Sequence, residues 1–199
     1  MKAPIVFMRK AENDMKYAIC YSSRTGNTGK LAEAIRQTLP TLDCVYCGAP
    51  HVAANSGDVI FAGFWTDKGT CDSQMGEFLQ TLENKKVFLF GTAGFGGSEA
   101  YFTQILERVQ ANVPDSCEIV GTFMCQGKMP DVVRERYAAM EPSPKRDMML
   151  ENFQKALAHP NDSIDKAGTG FGMIHKQKKA CCLCVQSTSL FGFLYDFII

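Results

Sequence analysis

Short apolar runs rich in Val, Ile and Phe, at residues 17–21, 43–47, 58–63, 86–91 and 118–124, alternate with amphipathic stretches at 29–39, 73–83 and 99–111. Runs this short and apolar read as strands covered on both faces, and a parallel pair needs a long crossover connection of the kind those stretches supply. Five such strands imply an α/β, doubly wound parallel sheet with helices on both faces. Right-handed crossovers leave few topologies open. A chain of 199 residues is long enough for one domain of this kind. Further helices are predicted at 130–140, 146–158 and 161–178, the last with Asp162 as its N-cap. Gly168, Gly170 and Gly172 weigh against that last helix at about 1 kcal/mol each relative to alanine. No internal repeat is present.

The connection after the first strand carries the most chemistry. Ser22, Ser23, Arg24, Thr25, Gly26, Asn27 and Thr28 join the run ending at Tyr21 to a helix-like stretch from Gly29 to Leu39. At a helix N-terminus the first N–H groups lack intrahelical partners and the dipole adds partial positive charge, so a strand–loop–helix unit can cradle a phosphate. Ser22, Ser23, Thr25 and Thr28 are candidate hydroxyl donors, while Gly26 and Asn27 tolerate a tight backbone. The glycine, lysine and serine or threonine ending of a Walker loop is absent. The expected ligand is therefore a terminal phosphomonoester held without Mg²⁺ or a triphosphate. An ordinary capped helix after a strand is the plain alternative.

This loop resembles the flavin mononucleotide (FMN) phosphate loop of the flavodoxin family, a hydroxyl residue and any residue followed by Thr-Gly-Asn-Thr. The resemblance covers roughly residues 15–160. It implies the flavodoxin-like strand order 2-1-3-4-5, with the ligand outside the carboxyl ends of the strands at the switch between strands one and three. Two further loops fall where the family contacts its flavin. The segment from Gly63 to Asp72 contains Trp65, Thr66, Asp67, Lys68 and Gly69. Trp65, the chain's one tryptophan, is the candidate to stack on or flank the ring, since a large rigid ring gives area at low entropy cost. Packing against the sheet edge or a helix is its alternative. Gly69 would let a peptide reorient so that a carbonyl accepts a proton from the flavin N5, although the family's usual Gly-Asp form of that turn is absent.

The third loop contains Thr92, Ala93, Gly94, Phe95, Gly96 and Gly97, leading to Tyr101. Its glycines let the backbone approach a flat ligand, and the following helix N-terminus favours an electron-rich edge. Phe95 or Tyr101 is placed to flank the ring, with Tyr101 equally suited to the core. A fourth segment, Met124 to Pro130, resembles a turn of some bacterial flavodoxin-domain proteins. Its Cys125 and Gln126 are candidates to line the site, Cys125 more simply as a buried structural thiol.

Lys plus Arg equal Asp plus Glu at 21 each, and no basic stripe crosses the first 150 residues, so nucleic acid is not expected as a partner. Flavodoxins that shuttle electrons are usually strongly acidic, and charge steering towards a basic partner would be weaker here. Nine cysteines without a secretory signal point to a reducing, cytoplasmic setting. Cys44 and Cys47 form a C-x-x-C whose odd spacing on a strand assigns them to opposite faces, and Cys181, Cys182 and Cys184 crowd the tail. No second regular C-x-x-C answers the first, and His51, His159 and His175 make no ligand spacing, so no metal is expected.

Residues 1–14 read as an N-terminal extension before a natural start near Met15, residues 15–175 as the domain, and residues 176–199 as a Cys-rich apolar tail that docks on it or is disordered. The tail is too short for a transmembrane helix, which needs about 20 apolar residues, so membrane contact is not expected. The resemblance implies an FMN-binding electron-transfer protein that meets a redox partner protein or reductase over the exposed flavin edge, with no catalytic side chain of its own. Two readings compete with it. One is an FMN-dependent reductase acting directly on a quinone, porphyrin or other conjugated molecule. The other is a flavin-free interaction protein on a degenerate form of the fold.

Overall fold

The computed structural model describes residues 15–96 and 98–160; the extension 1–14, Gly97, the 161–178 helix and the tail lie outside these. In chain order the described residues form β1 (Tyr17–Tyr21), α1 (Asn27–Thr38), β2 (Cys44–Gly48), β3 (Val59–Asp67), β4 (Thr70–Cys71), α2 (Ser73–Gln80), β5 (Lys86–Ala93), α3 (Glu99–Gln110), β6 (Glu118–Gln126), α4 (Asp131–Ala138) and α5 (Pro144–Ala156). Five strands run parallel in the order β2-β1-β3-β5-β6. This is the doubly wound flavodoxin-like sheet, order 2-1-3-4-5, with one addition. The short β4 folds back antiparallel on the end of β3, pairing Thr66 with Cys71 and Asp67 with Thr70. The third strand, expected over 58–63, therefore continues through Trp65 to Asp67, because β5 still pairs alongside at Trp65–Thr92 and β4 pairs beyond it. Thr92 and Ala93 likewise end β5 rather than open its loop.

Alternation along the strands divides the core into two layers. Ala18, Cys20, Ile60, Ala62, Phe64, Val87 and Leu89 pack with Met75, Phe78 and Leu79 of α2 and with Phe102, Ile105, Leu106 and Val109 of α3. Those α3 residues fall at helical i, i+3, i+4 and i+7 spacing, which sets them on one stripe. Each fully buried side chain of this size contributes about 1.5–3 kcal/mol. On the opposite face Tyr17, Ile19, Val59, Phe61 and Phe90 meet Ala32, Ile35 and Leu39 of the α1 segment. A smaller cluster of Met129, Phe153 and Ala156 seats α5 beside the end of β6.

The central strands interlock through rings placed over glycines. Gly63 of β3 pairs with Phe90 of β5, and Phe64 pairs with Gly91. A Cβ at Gly63 would lie 2.3 Å from Phe90 Cζ, and one at Gly91 would lie 2.5 Å from Phe64 Cζ. Each ring fills the space its glycine leaves, one pair on either face of the sheet. The register at β2 corrects the reading of the C-x-x-C. A bulge lies between the pairings of Tyr17 and Ala18, so Cys44 stands beside Tyr17 and Cys47 beside Ile19, two positions apart on β1 instead of three.

Two outcomes follow from this packing. Gly91→Ala forces Phe64 out of place in a dense core and is expected to lower stability by about 1–3 kcal/mol, measured as a shift in the urea midpoint. Burial pushes the thiols of Cys20 and Cys125 up from 9.0, to about 11 and about 12. A thiol harder to ionise in the folded state contributes its full stability below the unfolded value and loses it as pH rises towards the folded one. Stability should therefore fall between roughly pH 9 and 12, and Cys125→Ala should flatten that fall.

Candidate functional site

The loops after β1, β3, β5 and β6 all emerge at the carboxyl end of the parallel sheet. Between β1 and α1, Gly26 sits in the left-handed region at φ 83° and ψ −12°, a conformation that favours glycine. It occupies the N-cap of α1 with no side-chain capping bond, whereas Asp72, Ser98 and Ser143 cap α2, α3 and α5 through their side chains. Gly29 N donates to Ser23 Oγ at 3.2 Å and Lys30 N to Gly26 O at 3.1 Å. The N–H groups of Asn27 and Thr28, at the first two helical positions, have no intrahelical acceptor. Asn27 Nδ2 donates to Thr25 Oγ1 at 2.8 Å. Ser23 and Thr25 thus accept bonds within the loop and retain their own hydroxyl hydrogens for an outside acceptor.

The other two hydroxyls expected at the phosphate are committed inside the fold. Ser22 is 7% exposed and Thr28 0%, and hydroxyls this buried need protein partners. Ser22 Oγ donates to Asp72 Oδ2. Thr28 Oγ1 reaches Phe64 O at 3.3 Å and Thr92 Oγ1 at 3.0 Å. Ser22 N donates to Gly63 O at 2.9 Å, extending the β1–β3 pairing. Ser22 and Thr28 therefore fasten the cradle to β3 and β5, and Thr28 offers a ligand its N–H.

At the end of β3, Trp65 is partly exposed and the Arg24 guanidinium lies over its ring, 5.3 Å from the centroid. This joins the first and second predicted loops through a cation–π contact. Thr66 Oγ1 is buried without a partner. Asp67 and Thr70 flank a two-residue hairpin turn in which Lys68 has φ 49° and Gly69 has φ 84°, the sign pattern of a type I′ turn. Gly69 O accepts from Arg108 Nη1 of α3 at 3.1 Å, which pins the turn on the α3 side. Asp72 then caps α2, accepting from Met75 N at 3.3 Å.

After β5, Gly94 O accepts from Gln126 Nε2 at 3.2 Å and from Asn152 Nδ2 at 3.3 Å. Gln126 Nε2 also donates to Asn152 Oδ1 at 3.2 Å. The third loop is thereby tied to β6 and α5. Phe95 is partly exposed, and the Tyr101 ring lies against Gly96 and tilts over Phe102 with centroids 6.3 Å apart. Tyr101 thus has a packing role in the structure. Cys125 is 2% exposed within the core.

Residues 18–168 match the flavodoxin domain family. The chain belongs to the flavodoxin family. Its relatives include a flavodoxin-like domain-containing protein, BilS, of Clostridium symbiosum (strain WAL-14163), 39% identical over 174 residues spanning 77% of this chain and 91% of that protein. The BilS protein of Clostridioides difficile (strain CD3) is 33% identical over 156 residues, spanning 74% and 89%. Among solved structures, oxidised Flavodoxin 2 of Bacillus cereus is 22% identical, with 72% of this chain and 97% of that one covered and a TM-score of 0.41.

Members of this family bind flavin, typically FMN. The residues present fit such a group: the free Asn27 and Thr28 N–H groups and the Ser23 and Thr25 hydroxyls suit a phosphomonoester, and a partly exposed tryptophan stands at the neighbouring strand end. The structure brings Ser23–Thr28, Trp65–Gly69 and Thr92–Gly96 to one end of the sheet; Gly97 lies outside the described residues. Asp72, Arg108 and Asn152 were not expected from sequence, and Gln126, a candidate to line the site, instead ties Gly94 to Asn152. Asp72 alone had a local signal, an acidic residue just ahead of a helix. Among the described residues no group of three or more His, Cys, Asp or Glu could hold a metal ion, and no helix is long and apolar enough to cross a membrane.

Asp72→Ala removes an N-cap and leaves the Ser22 hydroxyl buried and unpaired, which should cost about 2–3 kcal/mol of stability. Asp72→Asn, which keeps an acceptor, should cost less. Paired urea unfolding curves of the two variants measure the difference.

Proposed function

We propose that this protein binds FMN at the carboxyl end of its sheet and carries electrons to or from a partner redox protein. The observation that supports this best is the uncapped N-terminus of α1, opened by Gly26 and set beside Trp65, in a chain of the flavodoxin family. Bound there, the flavin supplies the electron chemistry. The chain's own work is holding and shielding. Asn27 and Thr28 N–H groups with the Ser23 and Thr25 hydroxyls hold the phosphate, and Ser22 and Thr28 keep that loop fixed on β3 and β5. Trp65 and Phe95 cover the ring region and exclude water from it. The 67–70 turn, pinned by Arg108, would present its backbone groups to the ring. The partner would dock over the loops carrying Trp65 and Phe95.

A reductase acting directly on a conjugated small molecule would use the same groove with the substrate over the ring, and the even charge balance, 21 against 21, suits an uncharged substrate as well as a protein. Because Trp65 is the one tryptophan, FMN should quench the intrinsic fluorescence to a one-to-one end point. Stepwise anaerobic reduction of that complex with dithionite should proceed in two separate one-electron stages. A single two-electron stage would favour the reductase, and absence of FMN binding would overturn both flavin readings.

A further inference from the structure

The cradle loop lacks a lysine of its own, and the fold brings one to it from the opposite side. Gly127, just after β6, lies against the first turn of α1, where a Cβ would fall 2.7 Å from Asn27 Nδ2. Only glycine lets the backbone come this near. Asn27 Nδ2 donates to Lys128 O at 2.8 Å, and Lys128 N donates to His159 O at 2.7 Å. Both backbone polar groups of Lys128 are thus fixed, with its Cα held next to the first helical residue of the uncapped α1. Its side chain is exposed and, among the described residues, forms no salt bridge. A lysine ammonium reaches about 6 Å from its Cα, long enough for a residue anchored on Asn27 to approach an anion at the α1 N-terminus.

The surrounding charges make a cation useful there. Behind the loop, the buried Asp72 carboxylate receives the Ser22 hydroxyl and opposes a phosphate dianion. Arg24, the loop's own cation, lies over Trp65. The helix dipole supplies about half a positive charge. We propose that Lys128 is a phosphate-binding residue of this site, the charge that makes it select a phosphorylated flavin over the unphosphorylated one. This rests on the flavin reading above.

The test measures dissociation constants for FMN and for riboflavin, by Trp65 fluorescence, in the wild-type full chain, Lys128→Met and Lys128→Arg. Because the side chain is exposed, Lys128→Met should keep the wild-type melting temperature. It should bind FMN about three- to tenfold more weakly, with riboflavin affinity unchanged. Lys128→Arg should stay close to wild type for both. The loss in Lys128→Met should shrink as salt is raised, as screening of a partly exposed charge pair requires. An unchanged FMN affinity in Lys128→Met, or an equal loss for both flavins, would overturn the assignment. Wild-type protein that binds neither flavin would instead overturn the flavin reading itself, and the two failures are thereby distinct.

Discussion

The Phe64–Gly91 and Phe90–Gly63 interlock is the contact on which the site's geometry depends. These four residues occupy adjacent register positions of the two central strands, one ring on each face, near the carboxyl end of the sheet. Because each ring occupies the volume of a missing Cβ, neither strand can slide or rotate without a clash or a void, and close-packed interiors resist both. The carbonyls of Gly63 and Phe64 then receive Ser22 N and Thr28 Oγ1 from the first loop. The floor of the site and the cradle beside it are thus one packed unit.

Above that floor, side chains that do not line the site hold the loops that do. Asp72 joins the cradle to the start of α2, Arg108 holds the hairpin turn from α3, and Gln126 with Asn152 holds Gly94 from β6 and α5. Asp72 and Gln126 are buried, where a hydrogen bond is strong and an unmade one costly. Preorganisation of this kind suits a cofactor site, in which the protein acts by fixing the surroundings of the bound group. It also leaves Trp65, Phe95 and Lys128, with Arg24 and Thr25 of the cradle, open to a ligand or partner.

Much of this was legible in the chain. The alternation of apolar runs with helical stripes fixed the number of parallel strands, since period and length are local properties. Element ends moved by a few residues where pairing overrode propensity, as at Phe64–Asp67, read as loop yet paired in β3 and its hairpin. The hydroxyl-rich loop was identified as a cradle, yet the division of labour within it was not. Ser22 and Thr28 look like Ser23 and Thr25 in sequence; burial separates them, because a hydroxyl sealed from water must bond inside the protein.

The sequence by itself determined the sheet's composition, the strand–loop–helix cradle with its glycine, and the placement of a lone tryptophan at the end of the third strand. Each is set by neighbouring residues through periodicity, turn chemistry or helix-end geometry. The tertiary structure decided which residues act together. Ser22 meets Asp72 across 50 positions, Gly69 meets Arg108 across 39, and Asn27 meets Lys128 across 101. Such pairs depend on strand register and on glycines that let backbones approach, and no local pattern encodes a contact that exists only once distant strands are side by side.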